Sequence, residues 1–133
     1  MDNKKVAEMD VISVGQEKLP QRLALYSDDA IIWDSVMRVV GYAPVNTASG
    51  SEARRFLAFL AGLPPIQVKI LSIFGEDNKV AVEWTLSGGE GKNKFEIPCA
   101  NLYDIEDGKI KGVRMHFDSA RFAEIARSNN GAA

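Results

Sequence analysis

Alternation of apolar and polar residues is clearest over residues 101–118, which read NLYDIEDGKIKGVRMHFD. Two alternating runs flank an Asp-Gly pair at 107–108, a pattern that predicts a β-hairpin. Because side chains alternate between the two faces of a strand, one face of each run would look toward a core. That face carries Asn101, Tyr103, Ile105, Val113, Met115 and Phe117. An apolar set with a few embedded polar atoms is typical of a ligand cavity as well as of a plain core.

Helical patterns dominate the first half of the chain and strand patterns the second. The spacing of apolar residues predicts helices over 4–14, 19–26, 51–61 and 119–127. Alternating runs predict strands over 30–33, 66–74, 79–87, 95–105 and 110–117. Ser51 is the expected N-cap of the third helix, and Gly62 with the two prolines after it ends that helix.

Residues outside these runs complete the prediction. Residues 35–45 are expected to be extended or hairpin material, 46–50 a loop, and 128–133 a frayed tail. Helices followed by a run of antiparallel strands predict an α+β fold, with the helices packed on one face of a sheet.

Composition limits the classes of protein that the chain can represent. The 133 residues are 46% hydrophobic and 26% charged, an ordinary globular mix that predicts one domain over 1–133. A net charge of −2 without a basic cluster argues against nucleic-acid binding. The opening segment MDNKKVAEMD lacks the apolar stretch of a signal peptide, and no apolar run approaches the roughly 20 residues of a membrane span. We therefore expect a cytoplasmic protein without membrane partners. One cysteine and one histidine argue against a disulfide framework and a zinc site.

Three motifs resemble the nuclear transport factor 2-like superfamily, and within it the SnoaL-like cyclase and ketosteroid isomerase-like group. They are YSDDA at 26–30 leading to Trp-Asp at 33–34, Gly50 opening a helix after a loop, and IEDGKI at 105–110 ending in HFD at 116–118. The resemblance implies a cone in which a strongly curved antiparallel sheet wraps around the N-terminal helices and leaves a deep pocket. It also implies a homodimer that forms through the outer sheet face. This architecture hosts enzymes of several kinds and plain binding modules, so it does not decide the activity.

Asp34 is the first candidate for catalysis. It stands two residues after Ile32 in a predicted strand, so both side chains point inward and the carboxyl group lies among apolar groups. Burial raises the pKa of a carboxyl group, which suits a general base. The resemblance places Asp34 where isomerase-like members hold their proton-shuttling aspartate. The alternative is a strand-end aspartate that accepts hydrogen bonds from the backbone amides of the next turn.

Asn101 and Tyr103 are the other catalytic candidates. The resemblance places Asn101 where isomerase-like members hold a protonated aspartate as an oxyanion donor, and an amide N–H donates without a raised pKa. The alternative is a satisfied core asparagine. Tyr103 would either offer its phenol to the same cavity or pack with its hydroxyl at the rim of the sheet.

Two departures from the family pattern narrow the chemistry. Isomerase-like members also use a tyrosine from the first helix, and residues 6–14 contain none, which argues against steroid isomerisation. Limonene epoxide hydrolase-like members need an aspartate where Met115 stands, which argues against epoxide hydrolysis by that arrangement.

The remaining inward positions are expected to bind the substrate. They are Ile32, Trp84, Cys99, Val113, Met115 and Phe117. Cys99 is interpreted as a buried thiol, because no inward histidine is in evidence to activate it. His116 alternates with Met115 and Phe117, so it should face the surface or a dimer interface unless a β-bulge near Gly112 reverses the parity.

The sequence thus predicts a pocket protein for a small hydrophobic molecule that carries a carbonyl group. As an enzyme it would be a cofactor-free isomerase, cyclase or dehydratase. Asp34 would remove a proton alpha to the carbonyl, and Asn101 with Tyr103 would stabilise the enolate oxygen. The alternative is a non-catalytic ligand-binding or protein-interaction module of the same fold. A raised pKa of Asp34 would favour the enzyme, and a lowered pKa would favour the module.

Overall fold

A computed structural model describes the backbone of residues 2–131 and the side chains of residues 2–125. The helices are α1 (Asn3–Ile12), α2 (Leu19–Leu23), α3 (Ser51–Ala61) and α4 (Ser119–Gly131). The strands are β1 (Tyr26–Asp34), β2 (Thr47–Ser49), β3 (Ile66–Glu76), β4 (Lys79–Gly88), β5 (Phe95–Glu106) and β6 (Lys109–Phe117). Among the described helices, none is long and apolar enough to cross a membrane.

The strands form one curved, unclosed sheet in the order β2-β1-β6-β5-β4-β3. β1 runs parallel to β6, and every other neighbouring pair is antiparallel. Helix α1 contacts β3, β4 and β6, whereas α3 contacts β1 and β2, so the helices cover the concave face. The architecture is the α+β cone that the sequence predicted.

The core lies between this concave face and the helices. Strand β4 buries alternate residues, as its pattern predicted, and these are Val80, Val82, Trp84 and Leu86. Helix α3 contributes Phe56 and Leu57, which are fully buried. Alternation was a sound guide here because each of these strands has only one face against the helices.

The segment between β1 and α3 differs from the prediction. Residues 35–46 form turns and bends instead of extended or hairpin material, and Thr47–Ser49, expected in a loop, is strand β2. Three residues are too few to show an alternating pattern, and β2 exists because its backbone pairs with Ile31–Trp33 of β1. A pairing of that kind depends on tertiary contact.

The largest differences in element boundaries are at α2, β1 and α4. Helix α2 ends at Leu23 rather than at residue 26, and β1 begins at Tyr26 rather than at residue 30. The polar stretch 27–29 carries no strand pattern, and parallel pairing of Tyr26 with Ile110 of β6 extends the strand. Helix α4 continues to Gly131, into the expected frayed tail, whose last two residues lie outside the described part of the chain.

Gly50, and not Ser51, is the N-cap of α3, and Ser51 is already helical. Gly50 has φ 59° and ψ −128°, a conformation that a residue with a Cβ atom rarely adopts. Its N–H donates to the carbonyl oxygen of Ala30 at 3.0 Å, which ties the start of the helix to β1.

Replacing Gly50 with alanine is expected to lower the free energy of unfolding by about 1–3 kcal/mol, because the new Cβ is strained at this φ. Denaturant titration measures the loss. Gly62→Ala, at the other end of α3, is the control: its φ is −86°, and an added Cβ meets no atom closer than 3.6 Å. Equal losses in the two variants would contradict the role assigned to Gly50.

Candidate functional site

The register of the sheet places two of the predicted catalytic residues in one row on its inner face. Asn101 pairs with Met115 across β5 and β6, and Met115 pairs with Asp34 across β6 and β1. Their exposed fractions are 1%, 1% and 0%. Since neighbouring strands lie about 4.8 Å apart, roughly 10 Å separates the backbones of Asn101 and Asp34. The row therefore holds an amide and a carboxyl group on either side of a thioether.

The carboxyl group of Asp34 has one oxygen that is hydrogen-bonded and one that is not. Oδ1 accepts from the backbone N–H of Val36 at 2.7 Å, as in the turn-capping interpretation. Oδ2 is buried and has no hydrogen-bond partner among the described residues. The turn after β1 thus holds the side chain in place and leaves one oxygen available for chemistry.

Burial raises the pKa of Asp34 from its ordinary value of 3.8 to about 6. The backbone N–H groups of Val36 and Met37 and the charge of Arg22 act in the opposite direction, but they do not cancel the effect of burial. A carboxyl group with this pKa can take up a proton and return it near neutral pH, as general acid–base catalysis requires.

A chain of hydrogen bonds crosses the interior from α2 to β4. At one end, Asp10 accepts twice: from Nε of Arg22 at 2.8 Å and from the hydroxyl of Tyr103 at 2.6 Å. The Tyr103 oxygen then accepts from Nδ2 of Asn101 at 3.0 Å. At the other end, Nε1 of Trp84 donates to Oδ1 of Asn101 at 3.1 Å. We call this set of five buried residues the polar chain. It places the Tyr103 hydroxyl deep inside the protein and not at the rim.

The ion pair of Asp10 and Arg22 supplies the charge in the polar chain. Burial by itself lowers the pKa of Arg22, but the Asp10 carboxylate, together with Tyr26 and Tyr103, more than offsets the effect of burial, so the pKa is raised. Burial, and then the charge of Asp10, raises the pKa of both Tyr103 and Tyr26 well above the ordinary value of 10. Both phenols therefore keep their protons. The Tyr26 hydroxyl is buried without a partner among residues 2–125.

Asp10, Arg22 and Tyr26 are not among the residues that the sequence predicted for the site. Charged residues are seldom fully buried, so an aspartate and an arginine in short helices would be placed in solvent. One signal was available, because Asp10 is four residues from Val6 and shares the face that α1 buries. No pattern in the sequence indicates that Arg22 is the partner of Asp10.

The predicted pocket-lining residues all lie on the inner face. Five are buried and Phe117 is half-buried; the five are Ile32, Trp84, Cys99, Val113 and Met115. The ring of Phe117 packs edge-on against Trp84, with centroids 5.8 Å apart, and against Phe122 of α4 at 5.3 Å. Because Asp34 has no contact with solvent, a ligand reaches it only when side chains of this wall move.

Cys99 has the properties of a structural thiol. Its Sγ donates to the carbonyl oxygen of Ile97 at 3.3 Å. Burial raises the pKa of the thiol to about 12, so the reactive thiolate does not form near neutral pH.

His116 is exposed on the outer face of the sheet, and its ring centroid lies 4.9 Å from that of Trp33. Strand β6 does contain a bulge, since Ile105 pairs with Ile110 and Asp104 with Gly112. The extra residue, Lys111, allows both Ile110 and Val113 to face the core, and the alternation is then unbroken from Val113 to Phe117. The outward orientation predicted for His116 is confirmed.

The chain belongs to the SnoaL-like domain family, whose model matches residues 12–113. No curated protein matches it. Its fold is that of the nuclear transport factor 2-like superfamily, as the sequence motifs predicted.

Three solved structures illustrate the likeness. A nuclear transport factor 2-like protein of unknown function from Burkholderia pseudomallei matches with a TM-score of 0.77 and 16% identity, over 95% of this chain and 98% of that one. TerC, co-crystallised with polyporic acid, matches with a TM-score of 0.75 and 16% identity, over 92% and 96%. An epoxide hydrolase from M. tuberculosis, of the limonene epoxide hydrolase-like type, matches with a TM-score of 0.69 and 20% identity, over 96% and 91%. At these identities the likeness establishes the fold and not an activity.

The raised pKa of Asp34 predicts a pH-dependent stability. The folded state binds the carboxyl proton more tightly than the unfolded state, so stability falls as the pH rises from 3.8 to about 6. Across this window the wild-type protein is expected to lose about 3 kcal/mol of unfolding free energy relative to Asp34→Asn. Urea unfolding between pH 4 and pH 7 measures the difference.

Asp28→Asn is the matched control, because Asp28 lies on the same strand and is exposed. Its stability should follow that of the wild-type protein across the pH range. Parallel curves for the wild-type protein and Asp34→Asn would show that the pKa of Asp34 is not raised.

Proposed function

We propose that the protein is a cofactor-free enzyme that moves a proton at the carbon alpha to the carbonyl group of a small hydrophobic molecule. One observation carries the proposal: Asp34 is fully buried, its pKa is raised to about 6, and Oδ2 has no partner among the described residues. Asp34 would take the proton, and Asn101, in the same row, would donate a hydrogen bond to the enolate oxygen.

Tyr103 has an indirect part in this proposal. Its hydroxyl hydrogen points to Asp10 and its oxygen accepts from Asn101, so Tyr103 holds the amide and does not touch the substrate. The rest of the molecule would be held by the predicted pocket-lining residues, which are Ile32, Trp84, Cys99, Val113, Met115 and Phe117. Isomerisation, cyclisation and dehydration share the enolate-forming step, and these residues serve that step.

Two similar structures support a small-molecule role. TerC was crystallised with polyporic acid, and a protein of ketosteroid isomerase-like fold from Catenulispora acidiphila was crystallised with trimethylamine. We also propose that residues 1–133 act as one domain in the cytoplasm, without membrane or nucleic-acid partners.

A binding module without catalysis is the second candidate function. The observation that favours it is the closed interior: Asp34 is fully buried, and five of the six predicted pocket-lining residues are buried as well. In such a module Asp34 would hold the turn after β1 through its bond to Val36 and would perform no proton transfer.

Asp34→Asn is expected to lower turnover by at least about 10²–10⁴-fold, because the amide cannot act as the base. Deuterium uptake from D₂O at the alpha carbon of a panel of cyclic ketones, followed by NMR, detects the shared proton-transfer step whatever the final product. Ketone binding, measured by chemical-shift changes, should persist in the variant.

Asp28→Asn again serves as the control and should exchange deuterium at the wild-type rate. Undiminished exchange in Asp34→Asn would refute the proposed role of the carboxyl group. Binding of ketones by the wild-type protein without any exchange would favour the binding module.

We infer in addition that two copies pair through the outer face of the sheet. Strand register places one row across this face, from β3 to β1: Phe74, Ala81, Leu102, Arg114 and Trp33. Leu102 is at the centre, with one aromatic residue at each end, and the Phe74 side chain is 59% exposed. Aromatic residues of this kind are enriched at protein interfaces.

The outer-face row can pair with the same row of a second copy. A two-fold axis along β5 would place Leu102 against Leu102 and Phe74 of one copy against Trp33 of the other. The next row is Glu83, Ala100 and His116, and the same axis would bring the carboxylate of Glu83 to the imidazole of His116. Shape and charge therefore favour a second copy as the occupant of this face.

Leu102→Glu is expected to convert the dimer into a monomer of 14.6 kDa, because two buried carboxylates would face each other on the axis. Sedimentation velocity measures the mass. Leu63→Glu is the control, since Leu63 is an exposed leucine that lies in the turn after α3, away from this face. A wild-type protein that sediments as a monomer at micromolar concentration would contradict the inferred dimer.

A further inference from the structure

We propose that Asp10 and Arg22 are positioning residues that fix the orientation of the Asn101 amide, so that Asn101 presents an N–H to a bound molecule and not its oxygen. The inference rests on the proposed function and deepens it. It specifies that the group bound opposite Asp34 is a hydrogen-bond acceptor, such as a carbonyl or enolate oxygen.

The charged end of the polar chain sets the first hydrogen-bond direction. A guanidinium group only donates, so Arg22 requires an acceptor, and Asp10 Oδ1 provides it at 2.8 Å. The paired carboxylate accepts at both oxygens. The hydroxyl of Tyr103 lies 2.6 Å from Oδ2 and must therefore donate its single hydrogen to Asp10.

The direction of the next bond follows from this one. With its hydrogen directed to Asp10, the Tyr103 oxygen can only accept, so its neighbour at 3.0 Å must be a donor. Asn101 meets this requirement with Nδ2. A reversed amide would place its oxygen against the Tyr103 oxygen with no hydrogen between them.

Trp84 imposes the same orientation from the opposite end. The indole N–H is a donor only, so the atom 3.1 Å from it must be the amide oxygen of Asn101. A reversed amide would set an NH₂ group against the indole N–H. Amide orientation is ordinarily assigned from the surrounding hydrogen bonds, and here two independent neighbours agree.

One N–H of Asn101 remains for a ligand. The amide has two hydrogens, and among the described residues Nδ2 makes a single hydrogen bond, to Tyr103. Across the row, Asp34 Oδ2 is a buried acceptor without a described partner. A carbonyl compound placed over Met115 would accept from Asn101 and turn its alpha C–H toward Asp34.

Asn101→Asp tests the direction of the hydrogen bonds in the polar chain without an activity assay. One oxygen of the introduced carboxyl group would accept from Trp84, and the other would face the Tyr103 oxygen and so must carry a hydrogen. The introduced group is therefore expected to stay protonated at neutral pH, with a pKa above about 7 against an ordinary value of about 3.9. ¹³C NMR of labelled aspartate carboxyl groups measures the pKa.

Several charged and titratable groups surround the introduced carboxyl group. The negative charge of Asp10, and of Asp34 when ionised, favours the protonated form, whereas the positive charge of Arg22 favours the ionised form. Tyr26, Tyr103 and Cys99 stay neutral, since burial raises the pKa of each. Burial and the direction of the Tyr103 hydroxyl then decide the outcome.

The double variant Asp10→Asn/Asn101→Asp tests whether Asp10 sets the direction. Without a carboxylate at position 10, the Tyr103 hydroxyl can turn and donate to the introduced carboxyl group, which Trp84 also stabilises as an anion. The pKa of that group is expected to fall below about 5. An unchanged pKa in the double variant would overturn the role of Asp10.

A measurement on the wild-type protein covers the case in which the variants do not fold. The amide protons of Asn101 should give stronger nuclear Overhauser effects to the ring of Tyr103 than to the indole proton of Trp84. The reverse order would overturn the inference. The inference would also be overturned if the carboxyl group introduced in Asn101→Asp were ionised at neutral pH, whatever the enzyme assays show. Retained turnover in Asp34→Asn would instead refute the proposed function and would not affect the inferred direction of the hydrogen bonds in the polar chain.

Discussion

The carboxylate of Asp10 has no contact with solvent, and a buried charge without a partner costs several kcal/mol. Arg22 and Tyr103 satisfy both of its oxygens. The ion pair therefore joins α1, α2 and β5 at one point inside the cone. The directions of the Tyr103 and Asn101 hydrogen bonds follow from this pair, and the indole N–H of Trp84, which can only donate, requires the same orientation of the Asn101 amide.

The two buried aspartates, Asp10 and Asp34, lie in different electrostatic environments. Asp10 is matched by a cation, so its charge is part of the structure. Asp34 has a single backbone N–H as its close partner, and burial raises its pKa toward neutrality. Asp10 is thus paired with a cation, whereas the pKa of Asp34 lies nearer neutral pH, because the surroundings of the two side chains differ. An uncompensated buried oxygen destabilises a protein, and such groups concentrate where chemistry or binding needs them.

The fold by itself does not decide an activity, so any chemistry depends on the side chains of the inner-face row. Proteins of similar fold include an epoxide hydrolase and a protein crystallised with polyporic acid, at 20% and 16% identity. In this chain the row offers Asn101, Met115 and Asp34, which is a donor and an acceptor about two strand spacings apart. An amide held in one orientation donates to an oxyanion without first gaining a proton. The closed wall of Trp84 and Phe117 adds the requirement that the interior must open to admit a ligand.

Alternation along β4, β5 and β6 was enough to predict the sheet, its inner face and the inward position of Asn101, because strands with one buried face repeat every two residues. The same two-residue repeat, counted from Ile32 in β1, predicted the inward position of Asp34. The position of His116 outside followed from the same parity. Strand β2 and the first half of β1 escaped prediction, since they exist through backbone pairing and not through a hydrophobic pattern. Asp10 and Tyr103 are 93 residues apart in the chain. Local patterns report which side of an element is buried, but only the tertiary structure decides which buried polar groups meet, and that meeting determined the orientation of Asn101 and the environment of Asp34.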